Sequence, residues 1–252
     1  MKNLSVIIIA YNEEKNIANA IQSALKISDD IVVVDSFSID RTSEIASQLG
    51  ARVIQQKFLG YAEQKNFAAE HAKNDFVLSL DADEVISEQL AQSIENIELS
   101  EKKVYAFNRL TNYCGRFIYH CGWYPDVKIR IYHKHSVKWG GESIHEILLV
   151  NNQQEIVHLK GDLLHYSYYT FNDHLKQLDK FTSLQAEELF KKGVHPNIYH
   201  YIIKPHFKFT RDYIFKLGFL DGWEGFSISL ISAIGVYLKY QKLRMLIKKN
   251  AQ

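Results

Sequence analysis

The sequence predicts an α/β fold, a mostly parallel sheet covered by helices, with a helical carboxyl-terminal appendage. Three observations predict it. Short β-branched runs alternate with helix-spaced segments through the first hundred residues. Two cysteines in 252 residues supply no disulfide framework, so a packed core has to hold the chain. The alternation stops near Gly193 and Pro196, and a basic, aromatic and apolar segment follows. The expected organisation is one domain over residues 1–192, with halves of about 1–100 and 101–192, and an extension over 193–252.

The elements follow in order. "LSVIIIAY" (4–11) reads as a strand buried on both faces. Residues 13–27 carry apolar side chains at 17, 18, 21, 24 and 25, which is helical spacing. "DIVVVD" (30–35) is a second buried strand. Asp40 and Gly50 suit the cap and the stop of the next helix. "ARVIQQ", the helical "YAEQKNFAAEHA" (61–72) and "FVLSL" (76–80) continue the alternation. Later runs such as "KVYAFNRLTNYCG", "VKIRIYHK", "IHEILLV" and "LLHYSY" are short, aromatic-rich strands that extend the sheet. A helix is expected from Thr170 to about Lys192.

Charge divides the chain. The first hundred residues carry 8 basic and 16 acidic side chains, the remainder 22 and 13. Only 6 of the 32 aromatic residues lie in the first hundred, so the two parts have different jobs. The amino terminus has a short apolar run followed by Glu13 and Glu14, unlike a signal peptide. With only Cys114 and Cys121 present, a cytoplasmic setting is expected. Cys114, His120 and Cys121 form no standard zinc spacing.

In parallel sheets ligands gather at the carboxyl ends of the strands. Tyr11-Asn12-Glu13, Asp35-Ser36 and Asp81-Ala82-Asp83 occupy three such ends and should meet in one crevice. Two convergent carboxylates, Asp81 and Asp83, need a cation, and a hard divalent ion such as Mg²⁺ or Mn²⁺ suits them. The plainer alternative is an acidic loop in which Glu84 opens the next helix. Asp35 suits either a turn or a hydrogen bond from a base or ribose. No glycine precedes Gly50, so neither glycine-rich phosphate loop is present. A bound nucleotide's phosphates would then be managed by side chains and a metal.

"SVIIIAYNEEKNI", "IVVVDSFSIDRTSEIA" and "GYAEQKNFAAEHAKNDFVLSLDADE" resemble successive motifs of the family-2 glycosyltransferases, which have the nucleotide-sugar-binding GT-A fold. "NYCGRFIYHCGWYPDVKIRIY", "KWGGESIHEILLV" and "LLHYSYYTFNDHL" resemble the bacterial lipopolysaccharide-core β-glucosyltransferase group within that family. The resemblance implies transfer of a hexose from a nucleotide sugar, UDP-glucose foremost, with inversion at the anomeric carbon. The implied acceptor is a lipopolysaccharide-core or related surface glycan.

It also implies roles. Ala10, Tyr11 and Glu13 line the nucleobase and ribose, Asp35 reads the base, and Lys65 lies near base and phosphates. Asp81 meets ribose or metal, Asp83 ligates the metal, and His165 completes the metal site. Glu146 matches the family's catalytic base, although His145-Glu146 stands where an acidic pair is usual. Asp126, on the turn after Pro125, is the alternative base. Each has a plainer reading as an ion pair with a neighbour such as Lys128 or Arg130. Trp123, Arg130 and His145 are assigned to the acceptor side. For Trp123, as for Tyr124 and Trp139, core packing is the plainer role.

In the last stretch, Gly225 to Leu238 is the longest uncharged run, 14 residues, short of a bilayer span. Lys and Arg beside Phe, Tyr and Trp suit peripheral contact with an anionic membrane, at the inner face of the cytoplasmic membrane. A helical pair packed on protein is the alternative. No nucleic-acid partner is expected. The rival functions are a sugar-nucleotide-binding scaffold without turnover and a nucleotidyltransferase. The second would want the glycine-rich phosphate loop that is missing.

Overall fold

The computed structural model describes residues 3–142, 145–151 and 154–250, apart from the side chains of Glu142 and His145. Strands β1 (Leu4–Ala10), β2 (Asp30–Asp35), β3 (Arg52–Gln55) and β4 (Phe76–Asp81) run parallel in the order β3-β2-β1-β4. Register decides what meets at their carboxyl ends. Ala10 lies opposite Asp35, and Ile9 opposite Asp81. The period-2 alternation of the β-branched runs feeds two cores. Val6, Ile8, Val33 and Leu80 pack with helix α1 (Ile17–Ala24). Ile7, Val32, Val34 and Val77 pack with helix α3 (Tyr61–Glu70), while α2 (Thr42–Gln48) precedes β3.

The helix after β2 starts one residue later than its predicted cap implies. Asp40 Oδ1 accepts the Thr42 amide at 3.0 Å, and Asp40 Oδ2 accepts the Glu14 amide at 3.1 Å. Asp40 therefore ties the helix start to the loop after β1 instead of acting as a simple N-cap. Gly50 ends that helix with φ of +84°.

Beyond β4 come β5 (Glu84–Ile86), α4 (Glu88–Asn96), β6 (Lys103–Tyr113), β7 (Arg116–Phe117) and β8 (Val127–His133). A hairpin of β9 (Lys138–Glu142) and β10 (His145–Leu149) precedes the long β11 (Glu155–Tyr168). The full order is β3-β2-β1-β4-β8-β6-β11-β5, so the parallel strands are continued by antiparallel ones. Glu84 does not open a helix, as the plainer sequence reading expects. It begins β5, and Ser87 caps α4 by accepting the Leu90 amide.

The chain divides into two compact units. The first runs to Arg109 and resumes over Asp126–Tyr166. The second is Leu110–Pro125 with the residues from Ser167 onward. The sequence puts a boundary near 193. The packing instead groups α5 (Phe171–Lys191), and residues 110–125, with the carboxyl-terminal helices. Thr170 caps α5 through a reciprocal capping box with Asp173. In the same unit, α8 (Gly222–Asn250) lies against α5, and Gly235 admits the Leu178 side chain, which a Cβ there would meet at 2.6 Å. Among the described residues no helix is long and apolar enough to cross a membrane.

His174 on α5 is buried, with Nδ1 3.0 Å from the Tyr113 hydroxyl. Burial pushes its imidazole down to about 4 from 6.5. The unfolded chain therefore takes up the proton first as pH falls, and stability drops between about pH 6.5 and 4. The expected loss is up to about 3 kcal/mol, from 1.36 kcal/mol per pKa unit. Urea melts across that window should show it in the parent and a flattened slope in His174→Gln. Equal slopes would refute the assignment.

Candidate active site

The carboxyl ends of β1, β2 and β4 are bound together by their loops. The Ser36 amide donates to the Ala10 carbonyl at 2.9 Å. Asn12, with φ of +56°, donates its amide to Ser38 Oγ at 2.8 Å, and its side chain accepts the Ile39 amide at 2.9 Å. The Glu13 amide donates to Thr42 Oγ1 at 2.7 Å. Asp35, fully buried, accepts the Ser38 amide at 3.0 Å and its hydroxyl. Its carboxylate thus shapes the turn. Tyr11, by contrast, is 58% exposed over this floor.

Behind the strand ends lies a ladder of alternating charge. Lys65, on α3 and 1% exposed, places Nζ 3.0 Å from Asp81 Oδ1 and 3.1 Å from Glu146 Oε1. Its ammonium also sits over the Trp139 ring, 4.5 Å from the centroid. Arg130 on β8 donates to Asp81 Oδ2 at 2.7 Å and to Glu84 Oε1 at 2.8 Å. Glu84, fully buried, uses Oε2 to accept the Asp81 amide at 2.9 Å. Arg109 continues the series, 3.7 Å from Glu84 and 2.8 Å from Asp126, and Lys128 closes it 2.9 Å from Asp126. Burial would raise the Asp81 carboxyl, but Arg130 and Lys65 overturn that and hold it far below the carboxylate range. Burial likewise would lower the Arg130 guanidinium, and Asp81 and Glu84 push it upward instead.

A second group gathers beside this ladder. Asp83 Oδ2 and His165 Nε2 are 3.2 Å apart. They meet because β11 pairs with β5, placing His165 opposite Glu84, while the Tyr166 amide donates to the Asp83 carbonyl at 2.9 Å. Glu13 is near enough to feel this charge. Burial raises its carboxyl, a hydrogen bond from Asn16 opposes the rise, and the charges of Asp83, Asp40 and Asp81 add to it. A cation here would relieve that repulsion. No group of three or more His, Cys, Asp or Glu side chains poised for a metal occurs among the described residues. The Asp83–His165 pair can supply two ligands, a number that suits Mg²⁺ or Mn²⁺ when phosphate and water supply the rest.

An open pocket lies at the amino end of α3, lined by Leu59, Gly60, Tyr61, Glu63, Gly141 and Glu146. Burial, then the charges of Glu146 and Asp81, raise the Tyr61 hydroxyl. Glu146 therefore has one oxygen on a buried lysine while lining a cavity that a small polar molecule can enter.

The predicted residues are only partly regrouped. Ala10, Glu13, Asp35, Asp81, Asp83 and His165 do gather by strand pairing and by charge. Lys65, expected beside a donor's base and phosphates, is committed to two carboxylates. Arg130, expected on the acceptor side, is 4% exposed beneath Asp81 because Asp81 and Glu84 need a buried cation. Asp126 is held by Arg109 and Lys128, the ion-pair role open to it from the start. Trp123 belongs to the second unit and packs with Tyr113, Tyr168 and His174, which is the core role. The side chain of His145 lies outside the described residues. Trp139 is also core: it is buried, and its indole donates to the Tyr132 hydroxyl at 3.0 Å. Sequence reasoning missed Glu84, Arg109 and Tyr61 as members of the site. The three charges "DADE" were the one available signal for Glu84, and nothing local marked the other two.

A family model described as Glycosyl transferase family 2 matches residues 5–148. The chain is similar to an uncharacterized glycosyltransferase of Rickettsia typhi, 32% identical over 99% of this chain and 89% of the relative. It is also similar to a lipopolysaccharide core biosynthesis glycosyltransferase of Rhizobium meliloti, 24% identical over 95% of this chain and 91% of the relative. Among solved structures, S. aureus TarS residues 1-349 align with 99% of this chain and 92% of that one, at 17% identity and a TM-score of 0.41.

Proposed function

Because this chain belongs to glycosyl transferase family 2, we propose that it transfers a hexose, with inversion, from a nucleotide sugar to a glycan or glycolipid acceptor. UDP-glucose is the proposed donor and a lipopolysaccharide-core sugar the proposed acceptor. The acceptor class is supported by similarity along almost the whole chain to the Rhizobium meliloti relative. The proposed place of action is the inner face of the cytoplasmic membrane.

The observation that carries the reading is one buried lysine bridging Asp81, at the end of a parallel strand, and Glu146, at the wall of a pocket. It joins a donor end to a base end. At the donor end Ala10, Tyr11, Glu13 and Asp35 are the proposed base and ribose residues, with Tyr11 as the exposed ring. Asp83 and His165 are the residues that would hold Mg²⁺ or Mn²⁺, with Asp81 beside them. Such an ion, when bound, offsets negative charge on the departing diphosphate.

At the base end an acceptor hydroxyl attacks the anomeric carbon as the bond to the diphosphate breaks on the opposite face. Glu146 takes the hydroxyl proton. Lys65 holds that carboxylate in place, its buried Nζ donating to Oε1 at 3.1 Å and leaving the second oxygen for the proton. Asp126 is the weaker candidate base, because two cations already occupy it.

Donor hydrolysis with and without Mn²⁺ tests the reading. The parent should release nucleoside diphosphate in a Mn²⁺-dependent way, and Asp83→Ala should lose at least about a hundredfold. A Mn²⁺-induced rise in melting temperature with UDP should vanish in the same variant. Nucleotide binding that ignores Mn²⁺, with no turnover on any acceptor, would instead support a scaffold. Pyrophosphate release from nucleoside triphosphate and sugar phosphate would support a nucleotidyltransferase.

A further inference from the structure

The second unit carries an apolar surface that its own fold leaves uncovered. Residues 198–223 form α6 (Ile198–Tyr201), α7 (Ile203–Thr210), a π-helical turn (Arg211–Phe215), a 3₁₀ turn (Gly218–Asp221) and the first residues of α8. Within them Ile198, Phe207, Phe215 and Trp223 are 71%, 61%, 73% and 73% exposed. Ile203, Phe207 and Ile214 follow one another at i, i+4 and i+11, which keeps them on one face of the continuous 203–215 helix. Rings join the two arms of the segment. Trp223 stacks on Phe226, which meets Phe209 and Tyr213 edge-on, and Tyr213 meets Phe219. Trp223 thus belongs to a ring network, while Ile203, Phe207 and Ile214 form an exposed row on α7 and the turn after it. Large apolar side chains exposed this densely within one 26-residue segment mark an interaction site.

Charge says what covers it. The segment contains Lys204, Lys208, Arg211 and Lys216, against only Asp212 and Asp221. Both acids are withdrawn from the surface, at 1% and 2% exposed. Asp212 is buried against Lys208 and Arg211. Asp221 is used internally, accepting the His120 amide at 2.8 Å and lying 2.9 Å from its ring. Lys204 turns inward, donating to the Tyr240 hydroxyl at 2.8 Å, while Lys216 is exposed, so the outward surface is apolar and aromatic with a net positive charge and no exposed acid. A second copy of the chain would bring the same cations against themselves. An anionic lipid headgroup layer over acyl chains complements both features at once.

We infer that residues 198–223 dock this protein on an anionic membrane surface, with Phe207, Phe215 and Trp223 entering the headgroup–acyl boundary and Lys216 at the headgroups. No described helix crosses the bilayer in this arrangement. The inference deepens the proposed glycolipid-directed reaction, yet binding to lipid is measured without turnover, so either can fail alone.

Co-sedimentation of the full chain tests it, using vesicles of phosphatidylcholine alone or mixed with phosphatidylglycerol. Binding should favour the anionic vesicles and weaken with added salt. Phe215→Ser combined with Trp223→Ser should lower partitioning by about tenfold or more, with circular dichroism and donor hydrolysis unchanged. Lys216→Glu is the second variant, and it should reduce binding to anionic vesicles only. Absence of binding at low salt, or equal binding by parent and double variant, would overturn the inference. So would a dimer in sedimentation analysis that the double variant dissolves, since a second copy would then be the occupant.

Discussion

Glu146→Gln should lower turnover by at least about a hundredfold while leaving donor affinity within about twofold. The substitution keeps size and removes the basic oxygen that accepts the acceptor's proton. Its neighbours explain why the loss should fall on kcat. Glu146 touches Lys65, not the strand-end residues assigned to the donor. Steady-state kinetics against both substrates, with a separate donor-binding titration, would measure it. Asp126→Asn is the comparison, and its effect should be smaller. Losing affinity with little change in kcat would remove Glu146 as the base. A larger kcat loss in Asp126→Asn would move the role there.

Arg130→Met should destabilise the fold by about 3–5 kcal/mol, because it leaves a buried anion uncompensated. Glu84 is fully buried, and Arg130 is its nearest cation, with Arg109 farther at 3.7 Å. Asp81, partly exposed and still paired with Lys65, contributes less to the loss. Urea denaturation would report the change. Adding Glu84→Gln should restore part of it, since that second substitution removes the carboxylate charge that loss of the guanidinium leaves unpaired. A loss below about 1 kcal/mol, or no rescue, would mean that the network is not held as described.

The nucleotide-binding half is legible because its signals are local. Continuous apolar runs, buried on both faces, write β1, β2 and β4 into the sequence, and their acidic ends imply a shared crevice. The same kind of signal finds α5, whose cap lies within four residues of its partner. Glu84 escapes this reading because its local context, acidic and before a helix, suits a solvated helix start equally well. Only the arrival of Arg130 from β8 and of Arg109 from β6 makes it a buried anion. Trp123 sits in a glycine- and proline-flanked stretch that looks open in sequence, yet its packing partners lie at Tyr113, Tyr168 and His174.

The sequence alone therefore settled the family, the order of the early strands and helices, and the carboxylates Asp35, Asp81 and Asp83 at their ends. These follow from residue type and short-range spacing. Tertiary structure decided the pairings: Lys65 with Asp81 and Glu146, Asp83 with His165, Arg130 with Glu84. Each joins residues 16 to 82 positions apart, counted from Lys65 to Asp81 and from Asp83 to His165. A side chain's charge can be read from its type, but its partner depends on which strand lies beside it. That is set by register and burial across the whole sheet.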